Sequence, residues 1–250
     1  MLKHQYSSVI ALLIQIVTTL FVALLVISQA TITLSIFEWG LLQGLLAGLI
    51  SYYLRMPIWW IPIHLVFIPL SITTLALNIS SFWFFSFFLC LLLIYGKTYK
   101  TQVPLYLSSK SVNTALEALL PKQGQFSFID LGSGCGGLLN NLASVHRNGI
   151  FYGIESAPLP FLISKLRNIF HVSSCKIFWG DFWKYDFSKY DVVYAYLSPV
   201  PMESLWHKAS KEMRAGSLLI SNTFIIPGVT PYRSIQLNDF SNSTLYLWKI

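Results

Sequence analysis

The sequence predicts an α/β protein: a doubly wound sheet preceded by an α-helical transmembrane region of about four spans. Charge distribution is the first observation behind this. The chain carries 17 Lys/Arg and 10 Asp/Glu, yet residues 1–97 hold only Lys3, Glu38, Arg55 and Lys97. Hydropathy is the second: apolar runs of membrane-spanning length follow one another through the front of the chain. The third is an alternation of strand-like and helix-like segments from Ser111 onward, with a glycine-rich turn after the first strand. Composition agrees, because 54% hydrophobic and 11% charged residues exclude a disordered chain, a coiled coil and a conventional soluble protein. The expected division is a helical membrane region over 1–97 and a catalytic-type domain over 98–250.

The spans are expected at Val9–Ser28, Ile32–Leu54, Ile58–Leu77 and, shorter, Ile79–Tyr95. Breaks at Gln29-Ala30, Arg55-Met56-Pro57 and Asn78 separate them. Trp59, Trp60, Trp83 and Tyr52-Tyr53 suit interfacial belts. With the N-terminus inside and four spans, Lys3, Arg55, Lys97 and Lys100 fall on one side. The positive-inside rule then makes that side, and the following domain, cytoplasmic. The expected location is therefore an inner or cytoplasmic membrane, with the lipid bilayer as a partner. Glu38 reads as a helix-end residue, and Gly44-x-x-x-Gly48 as ordinary membrane-helix composition or a close-packing pair.

Cys90, Cys135 and Cys175 are scattered, with no Cys-x-x-Cys, so neither a disulfide framework nor a metal site is expected. The net charge of +7 is spread along the chain rather than gathered in runs, which argues against a nucleic-acid partner.

In the back half, helices are expected at Val112–Leu120, Leu138–His146, Phe161–Phe170 and Met202–Arg214. Strands are expected at Phe126–Leu131, Ile150–Glu155, Cys175–Trp179, Asp191–Leu197 and Ser217–Thr223. An antiparallel pair, Ser234–Leu237 with Thr244–Trp248, closes the sheet. His146, His171 and His207 read as surface residues. The chemistry sits in Gly132-Ser133-Gly134-Cys135-Gly136-Gly137, where glycines let the backbone turn tightly and approach a ligand beside a helix N-terminus. This loop alone fits a dinucleotide as well as S-adenosylmethionine. Acids at three successive strand ends discriminate: Asp130 suits a cationic amino acid tail, Glu155 ribose hydroxyls, and Asp181, beside Phe182, an adenine amino group.

Phe128-Ile129-Asp130-Leu131-Gly132-Ser133-Gly134-Cys135-Gly136 resembles motif I of the class I S-adenosylmethionine-dependent methyltransferases. The likeness extends over most of residues 102–248. It is nearest to the membrane-anchored lysine methyltransferases that include the ATP-synthase c-subunit and adenine nucleotide translocase enzymes. Four further stretches carry it: Val103–Ser109, Tyr152–Glu155 with Pro158, Asp181-Phe182-Trp183-Lys184, and Tyr196-Leu197-Ser198-Pro199. Cys135-Gly136-Gly137 departs from that family's usual Asp-Gly-Arg, and Glu155-Ser156-Ala157-Pro158 from its Glu-Leu-Asn-Pro.

The resemblance implies methyl transfer from S-adenosylmethionine to a lysine of a membrane protein. A lipid or quinone acceptor, or a non-catalytic cofactor-binding module, are the alternatives. Tyr106, Asp130, Gly132, Ser133, Gly134, Gly136, Glu155, Asp181 and Phe182 are the expected cofactor-binding residues. Tyr196 and Ser198, at the end of the fourth strand, are expected to face the methyl group and act in catalysis. Tyr106 and Ser108 belong to a segment that would close over the ligands.

Overall fold

The computed structural model describes residues 7–28, 34–98, 102–170 and 175–250; Lys3, Gln29-Ala30, Lys100 and His171 lie outside them. The chain divides into two compact units, Met1–Phe84 and Phe85–Ile250.

Four apolar helices form where the hydropathy placed them: α1 Ser7–Ser28, α2 Ile36–Tyr53, α3 Trp60–Ala76 and α4 Ser81–Tyr95. Their lengths correct the expectation of four spans. Among the described residues, only Ser8–Ser28 is long and apolar enough to cross a membrane. At 1.5 Å per residue α1 reaches the ~30 Å hydrocarbon thickness, and the others fall short of it. The cause is local. Ser35 caps α2 in a reciprocal capping box with Glu38 and so delays its start. Left-handed turns at Arg55 and Asn78 (φ 53° and 49°) end α2 and α3.

Polarity in the first unit is inverted relative to a soluble bundle. Large apolar side chains such as Leu12, Val17, Leu24, Ile36 and Phe67 are exposed. The hydrogen-bonding groups lie inside: Gln43 Nε2 donates to Thr18 Oγ1 at 2.8 Å, and His64 Nδ1 meets Gln15 Oε1 at 2.8 Å. The buried residues of α2 are small or polar, Gly40, Gly44, Ala47 and Gly48 among them. A Cβ on Gly44 would stand 2.9 Å from the Leu65 carbonyl oxygen, so the glycine stripe lets α2 and α3 backbones touch. Gly44 and Gly48 are therefore packing residues.

The second unit contains the predicted sheet. After α5 (Lys110–Leu119), capped by the Ser109 hydroxyl, the chain runs β1 Phe126–Leu131, α6 Gly137–Val145, β2 Gly149–Glu155, α7 Pro158–Phe170 and β3 Lys176–Trp179. Two short 3-10 turns lead to β4 Val192–Ala195, α8 Met202–Glu212, β5 Leu218–Asn222, β6 Arg233–Gln236 and β7 Thr244–Lys249. The strand order is β3-β2-β1-β4-β5-β7-β6, parallel except where β7 pairs antiparallel with β5 and β6. Side chains alternate across the sheet. Phe126 and Phe128 pack with Val112, Leu116 and Leu139 on one face, while Ile129 and Leu131 pack with Met202 and Leu205 on the other. His146 corrects the surface reading: it is buried at the end of α6, its Nε2 at 3.1 Å from the Glu117 carbonyl. His207 is exposed as expected.

Candidate active site

Strand order reverses between β1 and β4, so the crevice beyond their carboxyl ends is where such a sheet takes a ligand. The motif residues gather there. Gly132, Gly134 and Gly136 all have positive φ (90°, 53° and 72°), which makes the turn a glycine requirement. The amides of Gly132 and Ser133 both donate to the Ile154 carbonyl at 2.9 Å, fastening the turn to the end of β2. Gly153 in β2 makes room for it, since a Cβ there would meet Ser133 Oγ at 2.8 Å.

Pairing register explains the electrostatics. Asp130 sits opposite Gly153 on β2 and Tyr194 on β4. Glu155, two residues beyond Gly153, projects from the same face. Asp130 is 4% exposed; burial first, and then the neighbouring Glu155 charge, pushes its carboxyl up to about 8. Glu155 is itself held by two backbone donors, Gly134 N at 2.8 Å and Ala157 N at 2.7 Å.

Two adjoining clefts open at these strand ends, both within Phe85–Ile250. The first, of about 410 Å³, is lined by Gly132, Glu155, Asp181, Phe182, Tyr106 and Tyr196, with Ile94, Lys97 and Thr98 closing one side. The second, of about 350 Å³, contains Asp130, Gly132, Ser133 and Cys135, and shares Tyr106 and Tyr196 with the first. Such volumes suit a small-molecule cofactor. Asp181 also caps the turn Phe182–Lys184 by accepting from Trp183 N at 3.2 Å. Burial raises the Cys135 thiol.

The segment before α5 lies over the glycine turn. Leu105 Cδ1 is 3.2 Å from the position of a Cβ on Gly134. The Tyr106 ring stacks on Tyr196 with centroids 4.8 Å apart, and Ser108 Oγ is 3.1 Å from the Tyr194 hydroxyl. Ser198 is buried with its Oγ unpartnered. Gly134, Gly136 and Ser198 do not line either cleft; Gly136 instead packs tightly against Ser164 of α7. Sequence reasoning missed two groups. Phe224, 5.8 Å from the Tyr106 ring, follows β5, and the strand-end logic used for the acids applies to it too. Arg167 reaches the second cleft from the last turn of α7, and nothing in the sequence distinguishes it from an ordinary helix-end cation.

The residues fit S-adenosylmethionine. A zwitterionic tail, a ribose and an adenine face a buried acid, a strand-end acid and an aromatic with a third acid, and Ser133 adds a buried unpartnered hydroxyl oxygen. The sheet order and its glycine turn are the fold of the class I S-adenosylmethionine-dependent methyltransferases. Residues 130–233, under half of the chain, match the family model described as the ANTKMT methyltransferase domain, so over that stretch the chain is similar to those methyltransferases.

Among solved structures, the chain is similar to an RNA methyltransferase from Salinibacter ruber in complex with S-adenosyl-L-homocysteine. The identity is 24% over 58% of this chain and 94% of that one, with a TM-score of 0.53, a likeness of fold. Weaker likenesses are a precorrin-6y C5,15-methyltransferase from Geobacter metallireducens (12% identity, 58% and 90% of the two chains, TM-score 0.45) and an S-adenosylmethionine-dependent methyltransferase from Geobacter sulfurreducens (22%, 46% and 48%, TM-score 0.40). No curated protein sequence matches the chain.

Proposed function

We propose that this protein is a membrane-attached methyltransferase that transfers a methyl group to a lysine side chain of another membrane protein, with its catalytic unit on the cytoplasmic side, where the donor cofactor is supplied. One observation carries the reading. The apolar helix α4 buries none of its own residues, and the chain from its last turn onward, Ile94, Lys97 and Thr98, forms part of the cofactor cleft. Phe85, Phe87 and Phe88 on that helix are all exposed, an arrangement that suits lipid rather than water. The cleft then opens beside the bilayer surface. The family's description, a lysine methyltransferase acting on a translocase, supports the same acceptor class.

When bound, S-adenosylmethionine supplies a methyl carbon activated by its sulfonium sulfur. The chain's own work is binding, alignment and exclusion of water. Asp130 would hold the cofactor's ammonium, Glu155 its ribose, and Asp181 with Phe182 its adenine. Gly132, Ser133, Gly134 and Gly136 shape the turn that would carry it, and Tyr106 would cover it. Tyr196, which lines both clefts, would orient the acceptor amine once it has lost its proton to solvent, a loss that desolvation favours. Incubating the full chain with methyl-labelled cofactor and membranes, then separating protein from lipid, tests the proposal. Label in the protein fraction is expected; label in the lipid fraction alone would assign a lipid or quinone acceptor instead.

A further inference from the structure

The second cleft carries charges of both signs. Asp130 lies in its floor, while Arg167 from α7 and Lys110 from α5 stand on its walls. Arg167 is not among the ion pairs formed by the described residues. Its Nη1 lies 2.9 Å from where a Cβ would stand on Gly137, the first residue of α6, so the guanidinium fills the space of the missing side chain. Ser133, only 8% exposed, adds an unpartnered Oγ to the same cleft.

We propose that Arg167 binds the carboxylate of the cofactor's methionine end and is a specificity-determining residue for that half of the molecule. Glu155, Asp181 and Phe182 claim the first cleft for adenosine, so the amino acid end must pass Gly132 into the second. That end is a zwitterion. Asp130 answers its ammonium, but two buried acids on one face would repel its carboxylate unless a cation stands nearby. A guanidinium meets a carboxylate in a planar, two-bond geometry that an ammonium lacks. The first amides of α6, beside Gly137, reinforce the positive potential there. Because Gly137 has no side chain, the cation must come from another element, and Arg167 is the one whose charged atoms already lie at that point.

The inference rests on the cofactor, not on the acceptor, so it is tested by binding rather than turnover. The probes are S-adenosylmethionine and its decarboxylated form, which keeps ammonium and sulfonium but lacks the carboxylate. Titrated into the full chain by calorimetry, the unmodified protein should prefer S-adenosylmethionine about tenfold. Arg167→Ala should abolish that preference by weakening S-adenosylmethionine alone, and leave decarboxylated ligand and 5′-methylthioadenosine within twofold. The double variant Arg167→Ala with Gly137→Arg, which returns a guanidinium from α6 into the vacated space, should recover the preference. An undiminished preference in Arg167→Ala, an equal loss for both probes, or transfer of the whole effect to Lys110→Ala would overturn the proposal. Failure of the unmodified protein to bind any of the three ligands would instead remove the cofactor assignment.

Discussion

Cofactor binding at neutral pH should release a proton from Asp130. The carboxyl is fully enclosed, and burial together with Glu155 pushes it up to about 8. A group of that pKa is ~90% protonated at pH 7. An ammonium brought against it favours the charged form; if the bound pKa falls below ~6, about 0.9 proton leaves per site. Affinity should then weaken by about five- to tenfold for each pH unit lowered from 8 towards the bound pKa, and level off below it, because the proton competes with the ligand. The same shift fixes the sign of its effect on folding. The native carboxyl holds a proton that the unfolded chain gives up near pH 4, so Asp130's contribution to stability is greatest below pH 4 and is lost as pH rises through 8. Calorimetry of S-adenosylhomocysteine at pH 7, in two buffers of unlike ionisation enthalpy, counts the protons directly. Asp130→Asn should release none and bind with a flat pH profile. No release from the unmodified protein, together with unchanged affinity between pH 6 and 8.5, would refute the reasoning.

Other perturbations test other layers of the structure. Gly136→Ala places a Cβ into Ser164 at a φ of 72°, and should lower stability by about 1–3 kcal/mol and weaken cofactor binding, read by thermal unfolding and titration. Gly44→Leu drives a side chain into the Leu65 backbone and should destabilise the helical unit by about 1–3 kcal/mol in detergent, whereas cofactor affinity stays unchanged. Tyr106→Ala removes the 4.8 Å stack on Tyr196; kcat on membranes should fall at least tenfold while cofactor affinity changes less than threefold. Full turnover in that variant would reduce residues 103–109 to a linker.

The α/β half was legible because its signals are local. Phe126–Leu131 is a short apolar strand ending at glycines, and the structure starts and stops β1 at those residues. Acids at strand ends gather because parallel strands share one carboxyl edge, so Asp130, Glu155 and Asp181 converge whatever the loops do. Span number was not legible. Apolar runs mark where helices form, but the Ser35–Glu38 box and the turns at Arg55 and Asn78 decide their lengths. Arg167 was hidden for a different reason. Its meaning depends on the empty side-chain position at Gly137, a relation between two helices that no single stretch of sequence displays. His146 was misread because its burial comes from α5 and β1, through the Glu117 carbonyl and the Phe126 ring.

The most direct test of the account is chemical identification of the methylated atom. Membranes are incubated with the full chain and methyl-labelled S-adenosylmethionine, the lipid is extracted, and the remaining protein is hydrolysed to amino acids. The account predicts label in methylated lysine, and its loss with Asp130→Asn. Label confined to the lipid extract, or to an amino acid other than lysine, would contradict it.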